Sequence, residues 1–311
     1  MKQLLIIDTK KNREVGKPQE LHSYIAVFIR TLDAREVTKE VYRQGLQRFE
    51  NWIIENKIVS PEREDILRYK DFLQADGLAP LSISAYLVAL RRFFAYLEGI
   101  KAYPNIARDI KGMKRPRGFL KDTLTKTQIN RLLNGIQEKE IRALRDFAMI
   151  NLMVRTGLRT VEVIRADIKD IGTESNETVL RVWGKGRDEK DDFVILTQEA
   201  YNPIMDYLKA RKHPKDTEPL FVCHSNRAKD GRLTTRSIRR LVKERMLAVG
   251  ISTTKLTAHS LRHTSATLAL QNGADIVSVK DMLRHSNINT TMIYVHNINR
   301  IEKGAEKFVS F

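Results

Sequence analysis

From about residue 19 to about residue 100, apolar side chains recur every three or four positions, the period of a helix buried along one face. Tyr42, Leu46, Phe49 and Ile53 form one such row. Ile66, Tyr69 and Leu73 form a second, and Ile83, Leu87, Leu90, Phe94 and Leu97 a third. Pro61 stands where a new helix would begin and Gly99 where one would stop, as the terminal preferences of proline and glycine require. The spacing predicts a bundle of about four helices. Arg43, Lys70, Arg91 and Arg92 are among the charges left on its outer faces.

The pattern changes further along. Lys111-Gly112-Met113-Lys114-Arg115-Pro116-Arg117-Gly118 is basic and rich in helix breakers, which marks a solvated boundary. We divide the chain into a leader of unassigned order (1–18), a helical domain (19–113), a basic linker (114–123) and a second domain with a C-terminal tail (124–311). In that second domain Thr125-Lys126-Thr127-Gln128 reads as a capping box opening a helix. Leu144 to Thr156 reads as a buried helix ending at Gly157. Thr178–Trp183 and Phe193–Leu196 are strand-like runs joined by a charged, glycine-containing tip. The expected fold is mainly α with a small antiparallel sheet (α+β) in the second domain.

Composition adds a partner. The chain has 311 residues, with 55 Lys+Arg against 38 Asp+Glu and a formal net charge of +17. Such a balance favours a polyanion, nucleic acid or an anionic membrane surface. No apolar run approaches the roughly 18 residues of a spanning helix, and Leu4–Ile7 is too short for a signal-peptide core. A cytoplasmic location follows as the expectation. Cys223 is the single cysteine, so an intrachain disulfide and a multi-cysteine zinc site are both excluded.

Candidate chemistry is concentrated near the C-terminus. His259-Ser260-Leu261-Arg262-His263-Thr264 is followed by Leu283-Arg284-His285-Ser286 and Thr290-Thr291-Met292-Ile293-Tyr294. Cutting a phosphodiester without a metal needs cations that grip the phosphate, an aimed nucleophile and a general acid for the leaving oxygen. Planar, permanently charged guanidinium forks suit the grip. His259 and Arg262, three apart at a helix start, are expected to face one way, with Leu261, Ser265 and Leu268 on the opposite, packing face. Asp275 is expected to cap a helix through Ile276, Val279 and Leu283, with His285 at its end and Tyr294 on the next helix.

Taken with Arg155-Thr156-Gly157-Leu158-Arg159-Thr160-Val161-Glu162 and Trp183-Gly184-Lys185-Gly186, residues 124–296 resemble the catalytic domain of the tyrosine recombinase (phage-integrase) family. The helical bundle resembles that family's core-binding, DNA-clamping domain in pattern and position. The resemblance implies site-specific cleavage and rejoining of DNA through a 3′-phosphotyrosyl intermediate, with neither metal, ATP nor other cofactor. It implies Tyr294 as nucleophile, Arg159 and Arg262 as phosphate clamps and Lys185 as general acid. His259 would help take the tyrosine's proton, His285 would bond the phosphate, and Glu162 would support the site. Lys190 competes with Lys185 for the acid role, whereas Tyr201 lacks a comparable context. Two departures stand out: Arg284 replaces a glycine common before this histidine, and Ser260 replaces a more polar residue.

Further expectations concern DNA and assembly. Arg236, Arg239, Arg240 and Lys243 make a cationic stripe with no acid among them, opposite Ile238, Leu241, Val242 and Met246. With Arg91, Arg92, Lys114, Arg115 and Arg117 they are candidate DNA contacts. The partner expected is double-stranded DNA with inverted half-sites. The resemblance implies a dimer and a synaptic tetramer that exchanges strands through a Holliday junction. The tail from Asn297 to Phe311 would dock on a neighbouring subunit. With the bundle beginning by about residue 19, no arm-type DNA-binding domain is expected. Integration or excision, inversion and dimer resolution all remain open as the biological role. So do a type IB topoisomerase activity and a catalytically inactive DNA-binding regulator.

Overall fold

The computed structural model describes residues 18–114, 122–136, 140–183, 189–212, 214–224, 231–302, 307 and 309. The chain divides into two compact units, Met1–Arg117 and Gly118–Phe311. The leader before residue 18, Arg115 and Arg117 of the basic linker, Lys185 and most of the tail beyond Glu302 lie outside the described residues.

The first unit is a bundle of α1 (Pro18–Thr31), α2 (Glu36–Glu55), α3 (Arg63–Ala75) and α4 (Pro80–Gly99). The apolar rows legible in the sequence form its core. Leu46, Phe49, Ile66, Tyr69, Leu73, Ile83, Leu87, Leu90 and Phe94 are all fully shielded from solvent. Aromatic edges lock the interior: Phe49 meets Tyr69 edge-on with ring centroids 5.0 Å apart, a geometry favoured by the ring quadrupoles. At Gly45 a Cβ would lie 2.8 Å from the Tyr86 ring, so glycine there lets α2 pack closely on α4. Pro80 is the first residue of α4, where its missing N–H costs nothing.

The second unit is built on α6 (Ile141–Thr156), which packs against α8 (Gln198–Ala210) and α10 (Ala258–Gln271). Ala148, Met149, Ile150, Leu152 and Met153 bury α6 nearly all round. Its neighbours are α5 (Lys126–Asn134), α7 (Thr160–Arg165), α9 (Thr235–Ala248), α11 (Ile276–Met282) and α12 (Asn289–Glu302). The Thr125 hydroxyl accepts from the Gln128 amide while the Gln128 side chain accepts from the Thr125 amide, as the capping-box pattern requires. Asp146 binds Arg145 at 2.7 Å and Arg245 at 2.8 Å, joining α6 to α9 by a buried carboxylate.

The sheet has one strand more than the sequence suggests. β1 (Ile171–Glu174), β2 (Glu177–Val182) and β3 (Asp192–Ile195) form an antiparallel sheet in that order. Ser175 and Asn176 join β1 to β2 with φ of 48° and 69°; two left-handed residues make a type I′ hairpin turn. The β1 run Ile-Gly-Thr-Glu is too short and too polar for periodicity to reveal. The architecture is otherwise the expected one, mainly α with a small antiparallel sheet. No helix among the described residues is long and apolar enough to cross a membrane.

Candidate active site

Four separated segments of the second unit converge. Arg159 caps the N-terminus of α7, Arg262 lies in α10, His285 follows α11, and Tyr294 lies in α12. Arg159 is placed by reciprocal bonds with Glu162. Its amide donates to one carboxylate oxygen at 2.6 Å and its guanidinium to the other at 2.7 Å. That arrangement is a capping box in which the capping residue is itself a cation.

Arg262 is 2% exposed, although its place in a polar motif suggested a shared outward face with His259. Its guanidinium donates to the carbonyls of Gly157, at 2.5 Å, and of Leu283. Gly157 is left-handed with φ of 63°, and a Cβ there would sit 2.7 Å from Leu283. Glycine therefore ends α6 and lets its own carbonyl turn to Arg262. Burial pushes the Arg262 pKa down to about 9, helped by Arg159 and Arg284 and opposed by Glu162 and Tyr294. It stays protonated at neutral pH and its charge is poorly solvated, so a bound anion would stabilise it strongly.

Arg284 contributes more than its status as a departure suggested. It follows α11 in a left-handed conformation, φ 53°. The Arg284 amide donates to Asp281 at 2.8 Å and the His285 amide to Lys280 at 3.0 Å. This is a Schellman cap, whose left-handed position usually takes glycine. Here the arginine side chain folds inward, binding Glu162 at 2.8 Å and the Met282 carbonyl at 2.6 Å. Burial works against ionisation of Glu162, yet Arg284, with Arg159, holds its carboxyl below the usual range.

His285 presents Nδ1 to the Thr291 hydroxyl at 2.9 Å. Burial, reinforced by Arg262, Arg159, Arg284 and His263, pushes its pKa down to about 4. It is therefore neutral at physiological pH. Tyr294 is 3% exposed, packed among Ala266, Val279 and Leu283. Burial raises its pKa, while Arg262 and Arg159 pull the other way. Its hydroxyl meets Nδ1 of His263 at 2.6 Å, and the His263 ring is edge-on to His259 at 4.6 Å between centroids. His259 itself is exposed. Sequence reasoning gave His263 no role. The signal was the four-residue step from His259, which puts both rings on one side of α10.

Lys190, the rival to Lys185, binds Asp167 at 3.1 Å and also Asp170. It is held at the base of the hairpin, near the Trp183 ring. Arg236, Arg239, Arg240 and Lys243 are all exposed on α9. The stripe is less purely cationic than its four members implied: Glu244 binds Arg240 at 2.7 Å. Arg92 and Lys114 are exposed, while Arg91 is half-buried and donates to the Ile110 carbonyl at 3.3 Å. Cys223 is half-buried, and no group of metal-ligating side chains occurs among the described residues.

Arg159 and Arg284 thus share one carboxylate, Glu162, and Arg262 lies within electrostatic reach of all three and of Tyr294, so three guanidiniums are set against a single acid. The imbalance suits an anion, and the hydroxyl suits attack on it. Residues 122–300 match the profile of the phage integrase family, and residues 22–99 match that of the phage integrase N-terminal SAM-like domain. The chain belongs to the phage integrase family, the tyrosine recombinases. It is 33% identical over 90% of its length, and 96% of the relative's, to tyrosine recombinase XerD of Lacticaseibacillus casei. It is 36% identical over 71% of its length, and 72% of the relative's, to tyrosine recombinase XerC of Actinobacillus succinogenes. Its fold matches that of the XerH site-specific recombinase solved in a post-cleavage complex with a palindromic difH substrate. The TM-score is 0.72 and the identity 23%, over 93% of this chain and 84% of that one.

Proposed function

We propose that this protein cleaves and rejoins duplex DNA at specific sites through a 3′-phosphotyrosyl intermediate formed on Tyr294. The observation that carries the reading is Tyr294 packed against Leu283, whose carbonyl takes the Arg262 guanidinium, beside an arginine cluster in which Arg159 and Arg284 share the single carboxylate of Glu162. Arg159 and Arg262 clamp the non-bridging oxygens, where bidentate donors stabilise the charge that develops at phosphorus. Neutral His285 bonds the phosphate, and Glu162 aims Arg159. Lys185 protonates the 5′ oxygen as it leaves. The role of Lys190 in the hairpin's ion pairs favours Lys185 over it as that acid. Religation reverses the steps, since the phosphotyrosyl bond conserves the energy of the bond broken.

The DNA partner is a duplex with inverted half-sites, reached through exposed cations of α9 (Arg236, Arg239, Arg240, Lys243) and of the bundle and linker (Arg91, Arg92, Lys114, Arg115, Arg117). Two protomers on one site and four in synapsis exchange strands through a Holliday junction, with the tail after α12 joining neighbours. Such a protein works in the cytoplasm on the nucleoid. The relatives named as tyrosine recombinases support this reading, as does the neighbour solved on its DNA substrate.

A nicked duplex that traps cleavage tests it. The site is first selected by the protein from a random-sequence library. Wild-type protein should leave an adduct that survives denaturation and maps to Tyr294. Tyr294→Phe should bind equally and leave none. Specific binding without any adduct from the wild type would point instead to a DNA-binding regulator.

A further inference from the structure

We propose that His263 is the proton acceptor for the attacking Tyr294 hydroxyl, with His259 acting on it from behind; this rests on the cleavage reading above. His263 Nδ1 lies 2.6 Å from the tyrosine oxygen, within the reach a general base needs. The two rings lie 5.6 Å apart between centroids, tilted by 46°, so the contact runs through the hydroxyl and not through stacked faces. His259 touches His263 edge-on and lies further out, at the solvent side of α10. The first motif histidine is thus one ring removed from the nucleophile.

The surroundings explain why a base is needed here. Tyr294 is 3% exposed, so water cannot readily take its proton, and burial alone disfavours the phenolate. His285 is poorly suited to the task, because with Nδ1 on the Thr291 hydroxyl only Nε2 is left, and that nitrogen is the one assigned to the phosphate. With its proton on Nε2, neutral His263 accepts the tyrosine O–H at Nδ1. In the forward step the Oη–H bond breaks and the proton passes to Nδ1, giving imidazolium. The freed electron pair forms the Oη–P bond, the P–O5′ bond breaks, and the 5′ oxygen takes its proton from the general acid. In religation the imidazolium returns its proton to the departing tyrosine oxygen.

Single-turnover cleavage of the selected nicked duplex tests the assignment. His263→Ala should slow adduct formation about 10²-fold with DNA affinity unchanged, and His259→Ala should slow it less. His263→Gln can accept the hydrogen bond but cannot take the proton, so it should remain slow even where the alanine variant is poorly folded. Fluorinated tyrosine incorporated at position 294 ionises more readily and should shrink the His263 defect at least tenfold. A His263→Gln variant as fast as wild type, or a defect of unchanged size with fluorotyrosine, would overturn the proposal while leaving Tyr294 as nucleophile. Absence of any wild-type adduct would overturn the cleavage reading and this inference together.

Discussion

Arg284 reaches Glu162 at 2.8 Å with the two side chains 3% and 5% exposed, so a buried carboxylate is shared between this arginine and Arg159. Without Arg284, Glu162 would neutralise Arg159 alone and weaken the grip on phosphate. Arg284→Met should therefore destabilise the second unit by about 3 kcal/mol, the lower part of the range for a broken buried pair, because Arg159 remains. Arg284→Gly should cost less, since glycine relieves the left-handed backbone at φ 53°. Urea denaturation of both variants and of the Glu162→Gln double mutants measures the coupling.

Gly157→Ala should be among the most disruptive small changes near the site. The added Cβ meets Leu283 at 2.7 Å and the left-handed φ disfavours alanine. Because the same glycine's carbonyl holds Arg262, we expect a stability loss of about 1–3 kcal/mol together with slower adduct formation. A thermal melt and the nicked-duplex assay report the two effects separately.

His285 makes stability depend on pH in a defined direction. Its folded pKa of about 4 lies below the ordinary value of 6.5, so the unfolded chain binds the extra proton first. The contribution is fully present above about pH 6.5 and is lost as pH falls towards 4; solvent screening of this half-buried ring keeps it below about 3 kcal/mol. His285→Gln should flatten that part of the profile. Bound DNA supplies a negative charge and should raise the His285 pKa, which histidine NMR titration with and without duplex would detect.

Lys185 and Lys190 should separate by leaving group. Lys185→Ala should block cleavage of ordinary DNA but act normally on a bridging 5′-phosphorothiolate, whose thiol, with a pKa near 8.5, leaves without an acid. Lys190→Met should gain nothing from that substrate. Its loss removes a cation shared by Asp167 and Asp170, leaving Asp167 with Arg232, and should appear as a lowered melting temperature.

Salt dependence should sort the cations of α9. Replacing Arg236, Arg239 or Lys243 by alanine should each reduce the slope of log K against log salt by about 0.9 if it contacts phosphate. Arg240→Ala should change it less, because Glu244 holds that guanidinium at 2.7 Å. Binding titrations between low and moderate salt decide.

Much of this protein was legible before any coordinate. Periodicity located α2, α3 and α4 of the bundle, because burial of one helical face leaves a three-to-four residue rhythm whatever the neighbour, and an unbroken apolar run ending at glycine located α6. Local signals likewise marked the Thr125 and Asp275 caps, since cap and partner lie within one turn. The motifs around Arg159, Arg262, His285 and Tyr294 pointed to phosphodiester chemistry as an ordered set. β1 escaped, as four residues of mixed polarity carry no rhythm. Only the tertiary structure decided that Arg262 is buried, that Arg284 turns inward to Glu162, and that His263 is the ring at the tyrosine hydroxyl. Each of these depends on segments far apart in the chain meeting: the end of α6 and α7 with α10 and the turn after α11, and α10 with α12. A residue's neighbours along the chain constrain its backbone and helical face, but its burial and its hydrogen-bond partner are set by what packs against it.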